Sequence, residues 1–461
     1  MSMLAILAAL ALHAHEPAAQ DPRTLSPAEM QEDLFLLTEK LTSLHSGLHR
    51  YASEEEIEEA FGSAQLAIEG GPRDVLWFYR RVCELVAQIR CGHTRVQLGD
   101  EDRAAALARR GVLPFEVLLR GERAWIRRVL VEGTPLADGR ELLAIDGLPI
   151  PEIQRRAFAR LSDDGFIETG KERELEAGFA EQFVLLVAEA ASGSYELRLA
   201  GAPEPVRVPG LPWDEFAEKR GTEPERPLIR LELRPEDGVG LLSIRAFGDP
   251  PAGEPGFLAQ LEQSFRTLRE RGIPHLVLDL RGNGGGRDMY GATLVSYLSS
   301  APFGYFERIE VTPDYAGDVR IEERDGRRLM LSHPGLQVQQ PNELHFQGDV
   351  CILIDGFTFS TAADVATVAH ANHLATFFGE ETGGGYEGNN SGDAQRLVLP
   401  NSGLAIGVQE WNYTTAGVGP GHHGRGVVPD MEVSATIDDV LAGRDAVLER
   451  ALEYVRSRPR R

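Results

Sequence analysis

Two hydrophobic spacings alternate along the chain. Over residues 26–89 apolar positions recur every three or four, as in "PAEMQEDLFLLTEKLTSLH" and "PRDVLWFYRRVCELVAQI". A helix with one buried face has that period. Pro27 after Ser26 and Pro72 after Gly71 stand where helices begin. The period ends in "RCGHTRVQL", where Gly92 breaks it and Val96 and Leu98 start an alternating pattern. "LPFEVLLRGERAWIRRVL" and "GRELLAIDGLPI" then predict short strands, the second with an Asp-Gly turn. A polar helix is expected over Glu172 to Ala191, a hairpin in "SYELRLAGAPEPVRV", and a linker in the Pro-rich "GTEPERPLIRLELRPEDG".

From Gly238 the two periods take turns: strand "VGLLSIRAF", helix "GFLAQLEQSFRTLRERG", strand "HLVLDLRG", helix "DMYGATLVSYLSS". After an irregular stretch come strand "DVCILID", helix "STAADVATVAHAN" and strand "ATFFGEET". This order predicts an α/β fold with a mostly parallel sheet covered by helices. The strands are near-continuous apolar runs, as burial on both faces requires.

Composition narrows the functional classes. A formal net charge of -24 offers no basic field to a nucleic acid. The apolar run Met3 to Leu12 is too short to span a bilayer but fits the core of an export signal, residues 1–19, cleaved after Ala14 or Ala19. Export implies a periplasmic or extracellular protein, with no integral membrane segment in its mature form. Cys83, Cys91 and Cys351 make no disulfide framework, and His422-His423 is too isolated for a metal site. Neither metal nor cofactor is expected.

Three short stretches could carry chemistry. In "CILIDGFTFSTAAD" a buried strand turns into a small-residue helix at Ser360. The serine is either a helix N-cap or a nucleophile at a strand-to-helix turn. In "LVLDLRGNGGG" the glycines suit a tight turn or an oxyanion hole at the carboxyl edge of the sheet. In "IRCGHTRV", His93 is the base that such a serine would need.

Taken in order, "DLRGNGGG", "IDGFTFSTAAD", "GEETGGG" and "GRGVVPD" resemble the signature of the tail-specific (C-terminal processing and tricorn-core type) serine peptidases. "LLSIRAFGD" is similar to the strand that opens their protease domain, and "GRELLAIDGLPI" to the end of their PDZ-like domain. The resemblance implies a helical domain over 22–100, a β-rich PDZ-like domain over 108–210, and a ClpP/crotonase-like peptidase domain over 225–458. It implies Ser360 as nucleophile, the amides of Gly284 and Thr361 as oxyanion hole, and protein or peptide substrates. Asp279, Arg281, Gly426, Pro429 and Asp430 are implied as structural.

One branch of the family uses a lysine base, whose position here is Gly385, and no lysine follows Lys219. The other uses a histidine before the PDZ-like region, which "CGHTRV" fits at His93, with a late glutamate. That glutamate would fall near His423, where none stands. Glu381 is the first candidate in its place and Glu410 the second; the remaining possibility is a His93 held by backbone alone. Lys40, Lys171 and Lys219 lie in polar stretches and are not expected to be desolvated. The resemblance reaches the interphotoreceptor retinoid-binding proteins as well, so a carrier of apolar ligands, or a degenerate peptidase scaffold, is the alternative.

Overall fold

The computed structural model describes residues 23–189, 193–222 and 226–458. The expected export signal lies outside the described residues.

The N-terminal part is helical, as its period requires. Helix Pro27–Leu44 starts with a capping box between Ser26 and Glu29 and buries Met30, Leu34, Leu37 and Leu41 along one stripe. Ser53 and Glu56 repeat the device for helix Glu54–Ile68. Helix Val75–Ala87 follows, and a further helix, Asp100–Arg110, lies between the strand pattern at Val96 and the one that begins at Leu113. An antiparallel sheet comes next, in the order Phe115–Arg120, Arg123–Val129, Glu141–Ile145, Ser194–Leu199, Val206–Pro209. The expected hairpin is its last pair. The polar helix is shorter than expected: Thr169–Gln182 runs into a π-helical turn, Phe183–Val187, whose five residues are all buried. Helices and sheet share one hydrophobic core, which also takes in Leu399, Leu404, Ile406 and Val408.

The second half is built on a six-stranded sheet. Its order is Ile229–Arg234, Val239–Ile244, His275–Asp279, Asp349–Ile354, Thr376–Gly379, Met431–Glu432. All neighbours are parallel except the first pair. The supposed linker thus contains an edge strand, because "IRLELR" alternates and its prolines only flank it. Alternate strand residues feed the two faces. Leu242, Ile244, Leu276 and Leu278 pack under helices Phe257–Glu270, Asp288–Leu298 and Thr361–Ala371. Val239, Leu241, Val277 and Leu353 meet the C-terminal helix Ala446–Arg456.

The stretch expected to be irregular contributes three strands to another antiparallel sheet. It runs Ile321–Arg324, Arg327–Met330, Phe306–Val311, Ala405–Thr415, Asn390–Val398. Val96–Gln97, just after His93, pairs with Ala405 and Ile406 of the same sheet. No helix among the described residues is long and apolar enough to cross a membrane.

Candidate active site

Parallel pairing sets the site. His275–Asp279 and Asp349–Ile354 are neighbours in register, Asp279 opposite Leu353, so the loops leaving their carboxyl ends emerge side by side. On one loop, the Asp355 carboxylate accepts from the Phe357 amide (3.0 Å) and from the Gly282 amide (3.0 Å) of the other. The Thr358 hydroxyl donates to the Leu280 carbonyl at 3.1 Å. Asn283, fully buried, accepts from the Gly285 amide, donates to the Ile244 carbonyl, and holds the Phe359 amide on its own carbonyl. These bonds leave Ser360 at φ 51° and ψ −130°, heading helix Thr361–Ala371. That conformation is rare for a residue with a side chain. The Ser360 side chain makes no cap bond. A serine selected as a cap would sit in the β region with its hydroxyl on a first-turn amide.

The glycine loop packs directly on the serine. Gly285 has φ +101°, and a Cβ there would lie 2.6 Å from the Ser360 Cβ. A Cβ on Gly284 would meet nothing within 4 Å, and the residue is exposed. Among the described residues, neither the Gly284 nor the Thr361 amide donates to another backbone carbonyl. Behind the loop, Arg281 forms bidentate pairs with Asp279 (2.9 and 2.9 Å) and Asp445 (2.7 and 2.8 Å). Asp279 and Arg281 brace the loop at a distance from the serine.

Ser360 and His93 line one cavity of about 900 Å³. Its walls are Gly284, Thr361, Asp364, Ser391, Gln409 and an aromatic group of Phe306, Phe359, Trp411 and Tyr413. The His93 ring lies against Phe359, with centroids 4.5 Å apart. Its Nδ1 is buried without a hydrogen-bond partner. Its backbone carbonyl accepts from the Gln409 amide at 3.0 Å. Burial pushes the His93 imidazole down to about 4; the Asp164 carboxylate pulls it up and Arg95 pushes it down.

A second histidine, His333, lines the same cavity. Its Nδ1 accepts from the Gly335 amide, so its Nε2 carries the proton that faces Asp288 at 3.0 Å. Both ring nitrogens are engaged and neither is free to take a proton from a hydroxyl. Sequence reasoning missed Asn283, Gln409 and His333; the asparagine stood inside a quoted motif, whereas nothing local marked the other two.

The model of peptidase family S41 matches residues 238–433. Those residues belong to that family. The chain therefore carries a serine peptidase domain, that of a hydrolase. No curated protein matches the sequence. Among solved structures, the chain is similar to mature CPAF, at 15% identity and TM-score 0.65, covering 93% of this chain and 96% of that one. It is also similar to mature CPAF complexed with lactacystin, at 15% identity and TM-score 0.66, covering 93% and 98%. At that identity the likeness is one of fold, and it extends well beyond the S41 domain.

The four motifs of the S41 domain hold one another. Glu381 of "GEETGGG" pairs with Arg425 of "GRGVVPD" (2.8 and 2.7 Å) and accepts from the Gly426 amide at 2.8 Å. Thr382 accepts from the Val427 amide at 2.8 Å, and a Cβ on Gly426 would lie 2.3 Å from the Thr382 carbonyl oxygen. Asp430 accepts from the Phe377 amide at 2.8 Å, next to Pro429. The expectation that Glu381 orients His93 is not met: it lines a different cavity, of about 790 Å³, with Pro429. Its carboxylate is engaged on that side. Glu410 fares no better. Strand alternation sends Gln409 and Trp411 into the Ser360 cavity and Glu410 away from it, to Gln395 at 3.0 Å. Lys40 and Lys219 sit on surface glutamates. Contrary to expectation, Lys171 is desolvated, and burial pushes its ammonium down. It donates to the Phe158 carbonyl at 3.0 Å and does not line the Ser360 cavity.

Proposed function

We propose that the protein cleaves peptide bonds with Ser360 as nucleophile and His93 as general base. The observation that carries this reading is the geometry of Ser360, strained, free of any cap bond, and in one cavity with a histidine that has an unpartnered ring nitrogen. His93 takes the hydroxyl proton as the oxygen attacks a peptide carbonyl. The developing oxyanion is held by the amides of Gly284 and Thr361. His93 then passes its proton to the leaving amine, and water hydrolyses the acyl-enzyme by the same route in reverse. A partly exposed serine lining a cavity of this size reaches an extended peptide. A carrier of apolar ligands needs neither the strained serine nor the histidine in the same cavity.

Two further parts of the proposal rest on the sequence. Residues 1–19 are an export signal, so the mature protein begins near His15 or Gln20. The antiparallel sheet over residues 115–209 is the family's PDZ-like domain, which binds peptide tails.

The test is labelling of the intact protein with a fluorophosphonate, read by peptide mass spectrometry. Label on Ser360 that disappears in His93→Ala supports the pair. Label that persists at the wild-type rate in His93→Ala removes His93 from the mechanism.

A further inference from the structure

Neither glutamate expected beside His93 is there, but a buried aspartate is. Asp164 is almost fully enclosed, at 1% exposure, in the segment between helices Ile150–Phe158 and Thr169–Gln182. Its Oδ1 accepts from the Gly92 amide at 2.8 Å, immediately before His93. Its Oδ2 accepts from the Gly385 amide at 3.2 Å. Gly385 is the position from which the lysine branch of the family would extend its base. One carboxylate therefore ties the histidine's loop to the loop beside the serine helix, where Gly384 approaches the Ser360 backbone. The fit is close: a Cβ on Gly92 would lie 2.7 Å from the Phe359 ring and 3.3 Å from Asp164 Oδ1.

We propose that Asp164 is the positioning residue of His93, fixing its loop against Ser360 through the Gly92 and Gly385 amides and setting a negative charge beside its ring. This rests on the Ser360–His93 reading above. Both carboxylate oxygens act as acceptors; an asparagine would turn an NH₂ toward one of the two amides and lose that bond. The charge acts in a defined direction as well, since Asp164 is the group that pulls the His93 imidazole up against burial. Of the other charges, Arg95 on the same loop pushes it down. Across the cavity stand Asp288 paired with His333, Arg287 paired with Asp249, Asp364 and Asp393.

Asp164→Asn in the full chain tests both effects. Turnover is expected to fall about 10²-fold in kcat with little change in KM, the loss that follows a displacement of about 1 Å. The His93 ring, followed by NMR in protein with labelled histidine and identified by its absence in His93→Ala, is expected to titrate at lower pH than in wild type. Asp163→Asn, one residue away and also buried, keeps an Oδ1 to accept from the Asp164 amide at 3.0 Å; it is the control and leaves that midpoint in place. An unmoved midpoint in Asp164→Asn, or a wild-type kcat, overturns the proposal. Should Asp164→Asn not fold, Asp164→Glu keeps the charge and shifts it, and a wild-type kcat in that variant overturns the proposal equally. Failure of the parent reading shows elsewhere, as peptide turnover surviving in His93→Ala.

Discussion

At φ 51° and ψ −130°, Ser360 occupies a backbone region that glycine enters freely and serine does not. Ser360→Gly is therefore expected to raise stability by about 1 kcal/mol in denaturant unfolding while abolishing peptide hydrolysis. Ser360→Ala is expected to be equally inactive and to unfold within ~0.5 kcal/mol of wild type, because no cap bond is lost. A drop of ~1 kcal/mol in the alanine variant is the mark of a cap and would count against the nucleophile. The base follows the same local logic. With the His93 imidazole pushed down to about 4 by burial, kcat/KM is expected to rise through an ionisation near pH 4, below the ordinary histidine value of about 6.5. A limb at 6.5 in the profile of a small peptide substrate would mean that the His93 ring is solvated in the free enzyme. Ser360 and His93 were legible as residue types at informative places. Their partners were not, because Asp164 and Gln409 reach His93 through backbone groups, and backbone bonding leaves no local trace in side-chain identity.

The glycine loop acts as an element, and its members are not equivalent. Gly285→Ala places a methyl 2.6 Å from the Ser360 Cβ at φ +101°. It is expected to lower kcat by at least ~10²-fold and to destabilise by more than ~2 kcal/mol. Gly284→Ala points into open space and is expected to keep the fold within ~0.5 kcal/mol. Equal damage from both would sink this division of the loop. The parallel sheet and its helices were readable because continuous apolar runs and the 3.6 period persist over whole elements. The second antiparallel sheet was not. Its Asn390–Val398 strand is mostly exposed, with Gly392, Asp393 and Arg396 along it, so no alternation stands out. Likewise Glu381 looked available in the sequence, because only the fold brings Arg425 across to occupy it.

Across the whole molecule, burial of neutral histidines links stability to pH. His45 is held between the Thr94 hydroxyl at 2.9 Å and the Gly47 amide at 3.2 Å, and burial pushes it, like His93, down to about 4. The unfolded chain takes up these protons first as pH falls. The stability due to keeping both rings neutral is thus complete above about pH 6.5 and is lost as pH drops toward 4. Buried Asp163 and Asp364, pushed up by burial, titrate with the opposite sign, so the histidine part is read as a difference: unfolding free energy is expected to fall less with falling pH in His45→Gln than in wild type. A slope unchanged in that variant would remove His45 from the linkage. The formal charge of -24 adds a second global effect: kcat/KM for cationic peptides is expected to fall with added salt, and for anionic peptides to rise.

The proposed base and nucleophile stand 267 positions apart (360 − 93). They are brought together where Val96–Gln97 joins Ala405–Thr415, Gln409 closes on the His93 carbonyl, and Asp164 bridges the two loops. During synthesis the histidine is made early, the serine later, and the strand that joins them later still. A half-made chain holds an unassembled reagent, and so does a chain whose amino-terminal half has come loose. Activity therefore depends on this seam as well as on the sheet around Ser360, and peptide hydrolysis is expected to be lost at a lower denaturant concentration than the bulk of the helical signal.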